Sequence, residues 1–205
     1  MKFLDVLLGR TKPARPDLDV LFAIPAAAVE LEAALGLKPT GAGAVCFRTG
    51  EGEAAGRAEA DALALSRVDS PADVTVGRDS YGYTWVTFRR PDADLSGLVT
   101  DLHAVNTTLV DAGFGSGLLC TVIGFAGTES TESTESTEST DGAQVGLVYL
   151  FKRGTVYPFV PVGDERRDTA LELEIRARLS GELPVESDLG RWFPLWAAPP
   201  LTPSG

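Results

Sequence analysis

The sequence predicts an α+β fold: an antiparallel sheet with helices packed on one face and an irregular C-terminal strap. Three observations carry this expectation. Apolar, β-branched and aromatic runs near residues 44–48, 73–89 and 118–159 read as strands, with helical patterns between them. Turn clusters at 78–82 and 153–154 join neighbouring runs directly, which favours antiparallel pairing. Residues 94–112 carry the clearest helical periodicity in the chain, with apolar side chains recurring on one stripe.

Residues 1–16 read as a basic amphipathic segment and linker. Phe3, Leu4, Val6, Leu7 and Leu8 beside Lys2 and Asp5 make residues 2–9 a helix candidate. Eight residues do not hold a helix alone in water, so this one needs a surface to fold against. Pro13 and Pro16 forbid its continuation, and residues 11–16 are therefore a linker. Residues 17–205 are expected to form a single α+β domain. Within it, residues 17–22 read as one or two helical turns that Pro25 breaks. Residues 26–35 fit either helix or strand, and Ala and Glu favour helix. Gly36 and the Pro39–Thr40–Gly41 cluster end that element, and residues 44–48 follow as a buried strand. Residues 53–67 are Ala-rich and helical.

Residues 73–76 and 83–89 form a hairpin around the turn cluster at 78–82. In its second strand Tyr83, Trp85 and Thr87 alternate with Thr84, Val86 and Phe88. Asp92 or Asp94 caps the 94–112 helix, whose stripe is Leu95, Leu98, Val99, Leu102, Val105 and Leu109. Gly113 stands at its left-handed end. Residues 118–125 read as a strong strand. Residues 127–142 hold four tandem Thr-Glu-Ser triplets and five acids, with nothing to bury, and read as a disordered acidic loop. Residues 145–152 and 155–159 make a second hairpin, with Pro158 and Pro161 forcing the latter strand to an edge. Residues 166–179 are helical, with Glu172–Arg176 and Glu174–Arg178 pairs four apart.

The charge distribution bounds the function. Lys2, Arg10, Lys12 and Arg15 against Asp5 give residues 1–16 a net charge of +3. The remaining 189 residues carry −14 of the total of −11. A body this acidic argues against nucleic acid, whose phosphates need a basic footprint. No apolar run approaches the ~18 residues of a membrane-spanning helix, and Asp5 interrupts the N-terminal run in a way a signal peptide does not. The expected location is cytoplasmic.

Chemistry-bearing patterns are sparse. His103 is the single histidine, which removes multi-histidine metal sites, and no G-x-S-x-G elbow accompanies it. The Gly113–Gly117 run follows a helix and precedes a strand, the reverse of a phosphate-cradling loop. Cys46 and Cys120 sit 74 positions apart in apolar surroundings and read as buried free thiols. Arg89–Arg90 and Lys152–Arg153 stand at strand ends, as a basic patch or as turn charges. No catalytic residue, metal ligand or cofactor site is expected. Trp192, Phe193, Leu195 and Trp196 cluster in an irregular tail and need burial, either across the domain's own core or against a partner.

Several stretches together resemble the PspA-associated protein family PspAB: GRTKPARPDLDVLFAIP, GAGAVCF, RDSYGYTWV, DLSGLVTDLHAVNTTLVDAGFGSGLLC, LVYLFKRGTVYPFVP and LPVESDLGRWFPLW. The Thr-Glu-Ser tract departs from the family pattern in a variable loop. The resemblance implies a link to the phage-shock envelope-stress system, in which the coiled-coil protein PspA coats and protects the inner membrane. It implies no catalytic residues.

These readings give a non-enzymatic accessory protein acting by protein–protein contact at the cytoplasmic membrane face, with a PspA-type coiled-coil protein as partner. Phe3, Leu4, Leu7, Leu8, Arg10 and Lys12 would dock weakly on anionic lipid or on a PspA helix. Trp192, Phe193 and Trp196 form the candidate partner cluster. The alternative is a small-molecule-binding or enzymatic domain with a cleft near Tyr83, Trp85 and His103. A third reading presents the sheet face to a coiled coil.

Overall fold

The computed structural model describes residues 16–48, 56, 60, 64, 71–127, 140, 142–196 and 198–201. The segment that carries Phe3, Leu4, Leu7, Leu8, Arg10 and Lys12 lies outside the described residues, as does nearly all of the Thr-Glu-Ser tract. Among the described residues six strands form one sheet: β1 (Leu37–Phe47), β2 (Asp73–Arg78), β3 (Thr84–Arg89), β4 (Leu118–Gly127), β5 (Gln144–Leu150) and β6 (Thr155–Phe159). The order is β2-β3-β1-β4-β5-β6, and every pairing is antiparallel. Helices α1 (Ile24–Leu35), α2 (Leu95–Asp111) and α3 (Thr169–Leu179) contribute to one apolar core on a single face of the sheet. The expected α+β class and layer arrangement are what the protein adopts.

Helix α2 is capped at both ends. Its N-cap Asp94 accepts a hydrogen bond from the Gly97 amide at 3.0 Å, Gly113 takes φ 91° just past its end, and Leu98, Val99, Leu102, Val105 and Leu109 are buried. Arg90, at the end of β3, fixes this helix start: Nε donates to Asp101 at 2.7 Å and Nη1 to Asp94 at 2.9 Å. Arg89 donates to the Pro199 carbonyl at 3.1 Å. The Arg89–Arg90 pair therefore ties elements together rather than forming a free basic patch.

Four local expectations change. Pro25 does not break a helix but opens one, because the 3-10 turn Leu18–Ala23 runs straight into α1 with Pro25 in its first turn. A proline there removes an amide that no helical carbonyl could have met. The Pro39–Thr40–Gly41 cluster does not end an element; β1 runs through it with a bulge between Pro39 and Gly43. Gly41 takes φ 73°, and a Cβ there would lie 2.7 Å from the Arg90 carbonyl oxygen, so the bulge needs glycine. Helix α3 starts at Thr169, with Asp168 as its cap, not at residue 166. Glu172 and Glu174 also fail to pair as their spacing suggests: Glu172 faces inward and meets Arg167, while Arg178 reaches Glu30 at 3.8 Å.

Strand alternation places two chemistries on β3 and β4. Val86, Phe88, Ile123 and Phe125 point into the helical core, while Trp85, Cys120 and Val122 point to the opposite face. Among the described residues, that opposite face is covered by the C-terminal strap. β6 lies at the sheet edge, as Pro158 requires, and the strap starts there: Val185 bridges Val156 in parallel. The strap then crosses the sheet through two 3-10 turns, Leu189–Arg191 and Pro199–Leu201.

Candidate functional site

The strapped face holds a cleft of about 1210 Å3. Its floor is built by the outward-facing residues of the strands: Cys46, Trp85, Cys120, Leu150 and Tyr157. One wall is the β2–β3 hairpin with Asp79, Tyr81 and Tyr83; the other is the strap at 193–196 with Ala198 and Pro199. Lys152 and Arg153 of the β5–β6 turn stand at the rim. The volume exceeds the roughly 300–1,000 Å3 of ordinary small-ligand pockets.

Asp79 shapes the first wall. Its Oδ1 accepts the Tyr81 and Tyr83 amides, both at 2.9 Å, and its Oδ2 accepts Trp85 Nε1–H at 3.0 Å. The side chain thus folds the turn and orients the indole on the floor. Burial raises the Asp79 carboxyl, but the Trp85 indole and the turn amides outweigh it and hold the group below its ordinary range. Arg48 lies over the Tyr83 ring, 5.6 Å from its centroid.

The second wall is anchored by buried contacts. Trp192 stacks on Tyr157 with centroids 5.8 Å apart and donates Nε1–H to the Glu186 carbonyl at 3.0 Å. Tyr157 donates its hydroxyl to the Phe193 carbonyl at 2.8 Å, and Trp196 meets Phe159 edge-on at 5.0 Å. Burial pushes the Tyr157 phenol well above its usual range, so it stays a neutral donor. The Glu186 carboxylate is buried beneath the strap and accepts Thr155 Oγ1–H at 3.0 Å, the Asp188 amide at 3.0 Å and Arg153 Nε–H at 3.4 Å. Burial raises this carboxyl, but those donors and the Arg153 charge lower it below its ordinary range. Arg167 completes the anchor. Its Nε donates to both Glu172 oxygens at 2.8 Å, its Nη1 donates to the Trp192 carbonyl at 2.7 Å, and its guanidinium lies over Phe159.

The sequence-predicted residues separate as follows. Trp192 is buried, Trp196 is half-buried against Phe159, and Phe193 is 58 % exposed at the cleft. Tyr83 and Trp85 line the cleft as the alternative reading placed them. His103 does not join them. It sits on α2, across the sheet, with its ring 4.7 Å from Phe22 and Nε2 3.7 Å from Asp19. The structure brings Cys46 and Cys120 together, which their sequence separation hides. Arg167, Glu172, Glu186 and Asp79 were missed as site builders; the only sequence signal was Asp79 in a turn cluster. Among the described residues, no group of three or more His, Cys, Asp or Glu side chains is placed to hold a metal ion. Among them, too, no helix is long and apolar enough to cross a membrane.

A family model described as PspAB, PspA associated protein B, matches residues 1–200 of the chain. Comparison with the curated proteins and with the solved structures finds no match.

Proposed function

Since the chain belongs to the PspA associated protein B family, we propose that it is a non-enzymatic adaptor of the PspA envelope-stress system that takes the apolar stripe of a PspA-type coiled-coil helix in its strapped cleft. The observation that carries this reading is the cleft itself. It is broad, its floor is aromatic and apolar, and it is framed by two exposed aromatic side chains, Tyr81 at 78 % and Phe193 at 58 %. Aromatic anchors around an apolar groove suit an amphipathic helix laid along it. The cationic rim at Lys152 and Arg153 favours acidic residues flanking that stripe.

The test uses purified PspA and variants that leave the core alone. Tyr81→Ala combined with Phe193→Ala is expected to weaken PspA binding by about tenfold or more, as loss of two contact aromatics does. Phe22→Ala, an exposed aromatic on the helix side, is expected to leave it unchanged. Unaltered binding by the double variant would sink the assignment. A small apolar ligand is the competing occupant, favoured by Tyr83 and Trp85 in the lining. It is the better reading if PspA fails to displace an apolar fluorophore from the cleft.

Residues 1–16 supply the second contact in this reading, through Phe3, Leu4, Leu7, Leu8, Arg10 and Lys12 at the cytoplasmic membrane face. Each basic residue contributes about 1 kcal/mol near anionic lipid, so binding is weak and reversible. Vesicles containing phosphatidylglycerol are expected to co-sediment the full chain and to lose it when residues 1–16 are removed. Equal pelleting of both forms would rule this contact out.

A further inference from the structure

We infer that Cys46 and Cys120 form a cross-strand dithiol on the cleft floor, a modification site that exchanges with a small organic disulfide entering the cleft and closes to an intramolecular disulfide. The two cysteines are the only ones in the chain. Folding places them directly opposite each other on β1 and β4, the two central strands. Both side chains lie on the strapped face, both line the cleft, and both are free thiols.

Opposed residues in an antiparallel pair have Cα atoms ~4.5–5.5 Å apart. Disulfides span about 4.4–6.8 Å between Cα atoms, so closure needs no change of register. Both side chains leave this opposed pair on the same face of the sheet, so the two sulfurs face each other's strand.

The chemistry balances with one co-reactant. A thiolate of the pair attacks the small disulfide, forming a mixed disulfide and releasing one small thiol. The second cysteine then attacks the protein sulfur of that mixed disulfide, closing the Cys46–Cys120 bond and releasing the second small thiol. The protein loses two protons and two electrons, and the small disulfide gains them. The neighbouring Cys120 thiol, burial and the Asp79 charge raise the Cys46 thiol above its ordinary range. Few thiolates are present at neutral pH, so the exchange is slow and favours reagents that the cleft concentrates at the sulfurs. Closure would link the middle of the sheet covalently and replace the thiol surface between Trp85 and Tyr157 with a rigid bond.

The test is made on the intact, folded protein with oxidised glutathione as the probe. The expected result is loss of both titratable thiols per chain, a monomer mass lower by two hydrogens, and no retained glutathione. A dithiol reductant restores both thiols. Phenylarsine oxide, which bridges paired thiols, is expected to bind the reduced protein and not the oxidised one. Cys120→Ser is expected to keep a glutathione adduct on Cys46. A stable glutathione adduct on the unaltered protein would overturn the inference, as would disulfide-linked dimers. So would closure only at the rate of global unfolding, because that would exclude entry through the cleft.

Discussion

Replacing Arg167 with alanine is expected to destabilise the protein by about 3–5 kcal/mol, because it leaves the Glu172 carboxylate buried without its cation. Glu172 is 1 % exposed and is held on both oxygens by Arg167, with the Val160 amide as the remaining donor to Oε1. The same substitution frees the Trp192 carbonyl and uncovers the Phe159 ring. A loss of this size is a large part of the ~5–15 kcal/mol that holds a domain folded. Urea denaturation measures it directly. Replacing both partners, Arg167→Leu with Glu172→Leu, should cost clearly less than the sum of the single changes, since no unpaired charge remains buried.

The Arg167→Ala deficit also has a pH signature. Burial raises the Glu172 carboxyl above its ordinary 4.5, while Arg167 and the Val160 amide pull it back down. A carboxyl raised in the folded state binds its proton more tightly there than in the unfolded chain. Stability linked to it is therefore full below about 4.5 and falls as pH rises through the folded value. Removing Arg167 raises that value further. The variant's deficit should be greatest at neutral pH and should shrink on acidification towards 4.5. A deficit independent of pH would show that lost packing, not the uncompensated carboxylate, carries the effect.

Replacing Trp192 with alanine is the second large effect, about 3–5 kcal/mol for emptying a buried indole site. The indole stacks on Tyr157 and its Nε1–H reaches the Glu186 carbonyl, so its loss detaches the strap from the sheet at the cleft wall. PspA binding should fall with it, because Phe193 follows immediately and its carbonyl is held by Tyr157. Trp192→Phe keeps the stacking and loses one hydrogen bond, at about 1 kcal/mol. If Trp192→Phe binds as the unaltered protein does while Trp192→Ala does not, the strap's position rather than the indole dipole is what the partner needs.

How much of this was legible in the sequence varies by element. The α2 stripe, its Asp94 cap and both hairpins follow from local rules, and the structure obeys them. Pro25 and the Pro39–Gly41 cluster misled because the same residues serve a helix start or a bulge as readily as a break. Which role wins depends on neighbours distant in sequence, such as the Arg90 carbonyl beside Gly41. The Glu172–Arg176 spacing misled for a similar reason: burial of Glu172 against β6 overrides an exposed pair worth a few tenths of a kcal/mol.

The cleft was the least legible feature. Tyr83, Trp85 and the Trp192–Trp196 tail were visible as aromatic clusters, but their meeting across one sheet face depends on strand order. Sequence alone groups His103 with them, although the sheet separates it from Trp85. Cys46 and Cys120 read as buried free thiols, and sequence leaves their pairing open because it is a matter of register between β1 and β4. The basic segment, residues 1–16, lies outside the described residues but for Pro16, and the docking proposed for it rests on charge and hydropathy.

In the proposed complex the strapped face, not the helical face, receives the PspA-type partner. Hydrogen–deuterium exchange of the protein with and without purified PspA tests it most directly. Slowed exchange on complex formation is expected in β2, β3, the β5–β6 turn and residues 189–201, with α1 and α2 unchanged. Protection confined to α1 and α2, with the cleft elements exchanging as in the free protein, would contradict it.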